Sequence, residues 1–154
     1  KEFSDHAARG KVEHDLLLRL IDDDTAAFNA IMAGFSMPKG TDDEKKARKA
    51  HIQAATRRAI EVPLLVMETC LATMSLARDM AATGNPNSVS DAGVGALAAR
   101  AGVRGAWLNV RINCQSLQDK VFVAEVLARA AEIERKAADL EAEILRIVDE
   151  KIGG

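Results

Sequence analysis

Charged and amide side chains that fall where a helix should be apolar are the residues of this chain best placed to do chemistry. Asp24 interrupts the run Leu17, Ile21, Asp24, Phe28, Ile31, Phe35, whose spacings of four and three put all six on one helical face. A carboxylate at a core position is strongly disfavoured unless it is paired, hydrogen-bonded or protonated. Its neighbours Asp22 and Asp23 can point to water instead. Asp24 is therefore either a structural ion pair or a group that moves protons or stabilises positive charge. Glu68 poses the same question. It is the one charge between Glu61 and Arg78, and the segment Leu64 to Leu76 around it is apolar or weakly polar on all sides. Such a carboxylate holds a proton or has a dedicated partner, and it suits a core ion pair or proton transfer alike.

A second constellation runs from Gly84 to Asn113, GNPNSVSDAGVGALAARAGVRGAWLNVRIN. Steps of four and three connect Asp91, Gly95, Ala98, Gly102, Gly105 and Asn109, with Asn113 one turn further, so this face carries almost no side chains. Each interior glycine costs a helix about 1 kcal/mol relative to alanine, so something must approach the backbone closely. The face is either a tight helix crossing or a ligand slot. In the slot, Asp91 at one end and Asn109 and Asn113 at the other would offer hydrogen bonds to a flat polar heterocycle. Asp91 also sits in the first turn, where its charge suits the helix dipole in either case.

The elements that must position these groups are helical. The spacing predicts a first helix from Ser4 to Phe35, ending before Pro38. A capping box, Thr41 with Glu44, opens a second, followed by a basic turn of Lys45, Lys46, Arg48 and Lys49 that is either a solvated face or a landing strip for a polyanionic tail. Arg57 and Glu61 form a local surface pair by spacing. Pro63 splits this helix or kinks it near Ala59. Gly84 closes it, and Ser90 is the expected N-cap of the glycine-faced helix. The last helix, Leu117 to Ile152, carries Val126, Ala130, Ile133, Ala137, Leu140, Ile144 and Ile147 in a heptad pattern. The expected fold is all-α, a bundle of long helices, with that narrow apolar stripe shared between the subunits of a dimer.

Composition removes several function classes. A chain of 154 residues suits one domain, and 21 basic against 23 acidic residues, a net charge of −2, give no case for nucleic-acid binding. The longest apolar run, Val62 to Met67, is well short of the ~20 residues of a membrane span, so no membrane role is expected. Cys70 and Cys114 lie in apolar stretches at no metal spacing, and reduced buried thiols suit a cytoplasmic location. His6, His14 and His51 form no ligand set; no metal site, phosphate loop or dinucleotide fingerprint is present.

The stretch Gly84–Asn113, with DDDTAAFNAIMAGFSMPKGTDDEKKAR (Asp22–Arg48) and AIEVPLLVMET (Ala59–Thr69), resembles the cyclodeaminase/cyclohydrolase family over Glu2 to Ile152. Family members carry a further N-terminal helix with a glycine- and serine-rich start, and the bifunctional enzymes add a formiminotransferase domain before it. Residues 1–154 therefore read as a single helical cyclodeaminase-like domain without that helix. The resemblance implies conversion of 5-formiminotetrahydrofolate to 5,10-methenyltetrahydrofolate with release of ammonia, as in histidine degradation. The alternatives are the family's methenyltetrahydrofolate cyclohydrolase activity and a non-catalytic assembly module. Against that chemistry, Asp24 and Glu68 are the catalytic candidates, and Asp91, Gly95, Gly102, Asn109, Asn113 and Lys39 are the substrate-binding ones. Tetrahydrofolate is itself the substrate, so no further cofactor is expected. The implied partners are a polyglutamylated folate, a homodimer or larger homo-oligomer, and a formiminotransferase domain or protein.

Overall fold

A computed structural model of the chain describes residues 2–153, with side chains from Ser4 onward. Four helices follow one another: α1 Glu2–Ser36, α2 Asp42–Thr83, α3 Val89–Cys114 and α4 Lys120–Gly153, with a single 3-10 turn at Pro86–Ser88. The all-α expectation holds, and the described residues contain no strand. α2 is the central helix and packs against the other three. Its side chains Ile60, Met67 and Met74 are fully buried. By length and apolarity alone an 18-residue window of α2 would suit a membrane span, but half of that window is buried inside the bundle, as befits a core helix.

Local chemistry explains the ends and the continuity of α2. The capping box forms as expected, with Thr41 Oγ1 accepting from Glu44 N–H at 3.2 Å and Glu44 Oε2 accepting from Thr41 N–H at 2.9 Å. The backbone N–H groups of Thr41 and Gly40, both donating to Glu44 Oε2, hold the Glu44 carboxyl below the usual range. Pro63 does not split the helix. Proline supplies no N–H to the carbonyl four residues back, which is Ala59. Asn113 Nδ2 donates to that Ala59 carbonyl at 2.8 Å, so a side chain from α3 replaces the missing backbone donor. At the far end Gly84 N–H donates to Met80 O at 2.8 Å, as a cap should. The next helix begins two residues earlier than expected. Asn85 Oδ1 accepts from Asn87 N–H at 3.0 Å and winds the linker into the 3-10 turn, leaving Ser88 rather than Ser90 at the N-cap of α3.

Two apolar stripes lie the opposite way from the expectation. The α4 stripe is consumed within the chain: Val126, Ala130, Ile133, Ala137 and Ile144 are buried against α2 and α3, joined by Val148, with Leu140 and Ile147 half-buried beside them. It therefore leaves no unmatched stripe for a second subunit. Much of the α1 run faces outward instead, with Ile21 64%, Phe28 61% and Phe35 53% exposed, while Leu17 packs against the core and Ile31 is half-buried. The face that α1 buries on α2 is built from Leu20, Ala27 and Gly34, one turn-pair apart. Small residues win because they let the two long helices approach: a Cβ on Gly10 would meet Leu76 at 3.1 Å, and one on Gly34 would meet Ile52 at 2.7 Å.

Candidate functional site

Asp24 is not buried in the core; it is exposed at the edge of a cavity of about 480 Å³ between α1, α2 and α3. α1 contributes Leu17, Leu20, Ile21, Asp24 and Thr25, α2 contributes Val66 and Cys70, and α3 contributes Gly102. Asp24 is the one charged residue of that lining, and the remainder is apolar apart from Thr25 and the thiol. Thr25 donates its hydroxyl hydrogen to Ile21 O at 3.1 Å, which leaves its oxygen as an acceptor beside Asp24. Apolar walls with few polar groups at one edge are the usual make-up of a small-molecule pocket, and about 300–1,000 Å³ is the usual size. The chain thus brings two of the eight nominated residues, Asp24 and Gly102, into one cavity.

Glu68 belongs elsewhere. It lines a cavity of about 350 Å³ between α2 and α4, with Glu61, Leu64, Leu65, Phe122, Glu125, Val126 and Arg129. Arg129 Nη2 lies 2.6 Å from Glu68 Oε1, a charge contact whose angles fall short of a hydrogen bond. Glu61 is held by Arg57 at 3.2 Å, as its spacing predicts, and Arg57 also reaches Asp119 and stacks 3.8 Å over the Phe122 ring. Most of the charge here is thus spent within the protein. Nothing in the local sequence of Glu68 announces Arg129, which arrives from a helix 61 positions later in the chain.

The glycine face of α3 divides. Gly102 is a packing glycine, since a Cβ there would lie 2.8 Å from Cys70 Sγ. Gly95 and Gly105 face open space, with nothing within 4 Å. Asp91 and Gly95 share a third hollow near the start of α3 with Thr73, Leu76, Met80 and Ser88. Asn113 is engaged with Ala59, while Asn109 and Lys39 are exposed. α3 buries the neighbouring face, Val89, Gly93, Ala96, Val103, Ala106, Val110 and Cys114. Gly93, which the four-and-three stepping passes over, packs on Val148 of α4. Hence the nominated face does not form one continuous slot with a carboxylate and two carboxamides at its ends.

Beyond the nominated residues the structure adds an ion-pair clamp between α3 and α4. Arg100, 13% exposed, donates to Glu134 at 2.7 and 2.9 Å and to Glu141 at 3.1 Å, and Arg104 also reaches Glu134. Arg100 holds the Glu134 carboxyl below the usual range against the opposing effect of burial. Burial pushes the thiols of Cys70 and Cys114 up, so both are neutral in ordinary conditions. The described residues contain no cluster of His, Cys, Asp and Glu fit to hold a metal ion.

The space between the helices of a bundle is a common place for a small-molecule pocket, and comparison with known proteins narrows the class of this one. The chain belongs to the formiminotransferase-cyclodeaminase family, whose model matches residues 1–132. It is 41% identical over 136 residues to the methenyltetrahydrofolate cyclohydrolase of Methylorubrum extorquens, covering 88% of this chain and 65% of that one. It is 35% identical over 140 residues to the formimidoyltransferase-cyclodeaminase of Sus scrofa, covering 91% of this chain but 25% of that one. The chain therefore spans just under two thirds of one relative and a quarter of the other. In fold it matches the formiminotetrahydrofolate cyclodeaminase of Thermotoga maritima with a TM-score of 0.79 at 22% identity, over 92% of this chain and 67% of that one.

Proposed function

We propose that this chain works on the one-carbon unit bridging N5 and N10 of tetrahydrofolate, and that its reaction is that of a methenyltetrahydrofolate cyclohydrolase. The 41% identity to the Methylorubrum enzyme supports that choice within the family. In the reaction, water adds to the methenyl carbon, the tetrahedral carbon expels N5, and 10-formyltetrahydrofolate forms with release of one proton. The structural observation that carries the proposal is Asp24, a lone carboxylate at the mouth of an apolar-walled cavity. There it would take the proton from the attacking water as a general base. Its fixed charge beside the amidinium would also orient the cationic substrate.

The second reading, formimidoyltetrahydrofolate cyclodeaminase, is favoured by the Sus scrofa relative. It uses the same carbon: N10 attacks the formimino carbon, and ammonia leaves after protonation of the departing nitrogen. In this direction Asp24 would stabilise the amidinium as it forms. Loss of methenyl absorbance from added 5,10-methenyltetrahydrofolate supports the first reading, and its appearance with ammonia from 5-formiminotetrahydrofolate supports the second. Neither change would reject both. The polyglutamate tail is proposed to lie along Lys39, Lys45, Lys46 and Lys49, all exposed near the α1–α2 turn. A homodimer belongs to the same proposal, now through the outward apolar face of α1 rather than the α4 stripe; a monomeric mass by light scattering would contradict it.

A further inference from the structure

Ile21 and Thr25 belong to two features at once. They line the rim of the cavity between α1, α2 and α3, and they sit inside the outward stripe of α1, Leu18, Ile21, Thr25, Phe28, Met32 and Phe35. All six are exposed. Their spacings, three and four in strict alternation, are those of a coiled-coil seam, which asks for another helix as its cover. The stripe runs for about 26 Å at ~1.5 Å per residue, and contiguous apolar surface of that kind marks an interaction face. The hydroxyl hydrogen of Thr25 is spent on Ile21 O at 3.1 Å, so its place in the seam leaves no donor stranded.

The stripe matches itself best when two copies run antiparallel about a two-fold axis between Thr25 and Phe28. Leu18 then meets the partner's Phe35, Ile21 the partner's Met32 and Thr25 the partner's Phe28, so the smallest member of the stripe receives one of the largest. Asp22, Asp23 and Asp24 come level with the uncharged stretch between the partner's Asn29 and the partner's Ile31. A parallel pair would instead bring the three aspartates of both copies to one level, where like charges repel. The geometry points to an isologous antiparallel contact in which the partner's Phe28 and the partner's Met32 stand over Thr25 and Ile21 and supply the outer wall of the cavity, so that the site is complete only in the dimer. A pocket usually covers most of its ligand's surface, and in a single chain the α1 rim of this cavity is exposed. An apolar wall there also thins the water around Asp24, which strengthens its attraction for a cationic substrate. This inference rests on the proposed use of the cavity for a folate.

Neither Phe28 nor Met32 lines the cavity of its own chain, so a change in folate affinity on substituting them reports the second copy. Both side chains are exposed in the single chain, so its folding should not depend on them. Phe28→Glu and Met32→Glu each place an unpaired charge in the seam, and each should give a helical monomer of 16.5 kDa by light scattering and circular dichroism. Isothermal titration should then show the Kd for 5-formyltetrahydrofolate raised about tenfold or more over the wild-type dimer. Folded monomers that bind this folate as the wild type does would overturn the inference. So would variants that stay dimeric, or a wild type that is itself a monomer. A dimeric wild type that neither binds nor converts any folate would overturn the proposed function, and the shared site that depends on it, while leaving the α1 seam in place.

Discussion

The two flanks of α2 are built to different standards. On the α4 flank the apolar stripe of one helix fits the core fully, and Arg100, Glu134 and Glu141 lock α3 to α4. On the α1 flank the contact is a seam of Gly10, Leu20, Ala27 and Gly34, the bulky residues Ile21, Phe28 and Phe35 face outward, and a cavity opens beneath Asp24. A flank whose apolar and charged groups are satisfied internally serves stability. A flank that leaves a carboxylate over an apolar cavity, with large side chains turned away, has capacity left for a ligand or a partner.

The largest expected effect is on the closed flank. Ile144→Ala should lower the unfolding free energy by about 2–5 kcal/mol, the usual range for emptying a buried aliphatic site, whereas Phe28→Ala on α1 should change it by less than about 0.5 kcal/mol in the monomer. Urea denaturation of the two variants compares them directly, and equal losses would erase the distinction between the flanks. Next comes the clamp. Glu134 is held below the usual carboxylate range by Arg100, so its stabilising contribution is complete above the unfolded-state value of about 4.3 and is lost as pH falls through the lower folded value. Glu134→Gln should destabilise the protein near neutrality by about 1–3 kcal/mol and flatten the acid side of its stability profile. An unchanged acid limb would show that other carboxylates set it.

On the open flank the sign reverses: function should change and stability should not. Asp24→Asn should reduce kcat about tenfold, equivalent to about 1.4 kcal/mol of barrier, with an unchanged melting temperature because the group is exposed. Wild-type turnover by Asp24→Asn would remove Asp24 from the chemistry. The smallest effect belongs to the residue that joins α3 to α2. Asn113→Ala leaves the Ala59 carbonyl without its donor and should cost about 1 kcal/mol of stability with folate affinity retained. A loss of affinity well beyond that would return Asn113 to the binding site.

Much of this architecture was legible because local rules and tertiary demands agreed. The capping box, the Arg57–Glu61 pair, the Gly84 cap and the four helices all follow from short spacings. The α1 orientation was not legible. Periodicity identifies an apolar face but not what covers it, and here Leu20, Ala27 and Gly34 outcompete a bulkier stripe because close approach of two long helices needs small residues. For the same reason Asp24 read as a core anomaly when it is an edge residue. The partners of Glu68 and Asn113 were not legible either: Arg129 and the Ala59 carbonyl come from distant parts of the chain, so no window of sequence contains both halves of either contact.

Hydrogen–deuterium exchange of the wild-type protein with and without 5-formyltetrahydrofolate tests most directly whether the open flank is the working one. Protection should concentrate at residues 17–25, 66–70 and around 102, and the helix at 120–150 should exchange as it does in the free protein. Protection centred instead on residues 61–68 and 122–129, the cavity of Glu68 and Arg129, would contradict the assignment and move the site to the other side of α2.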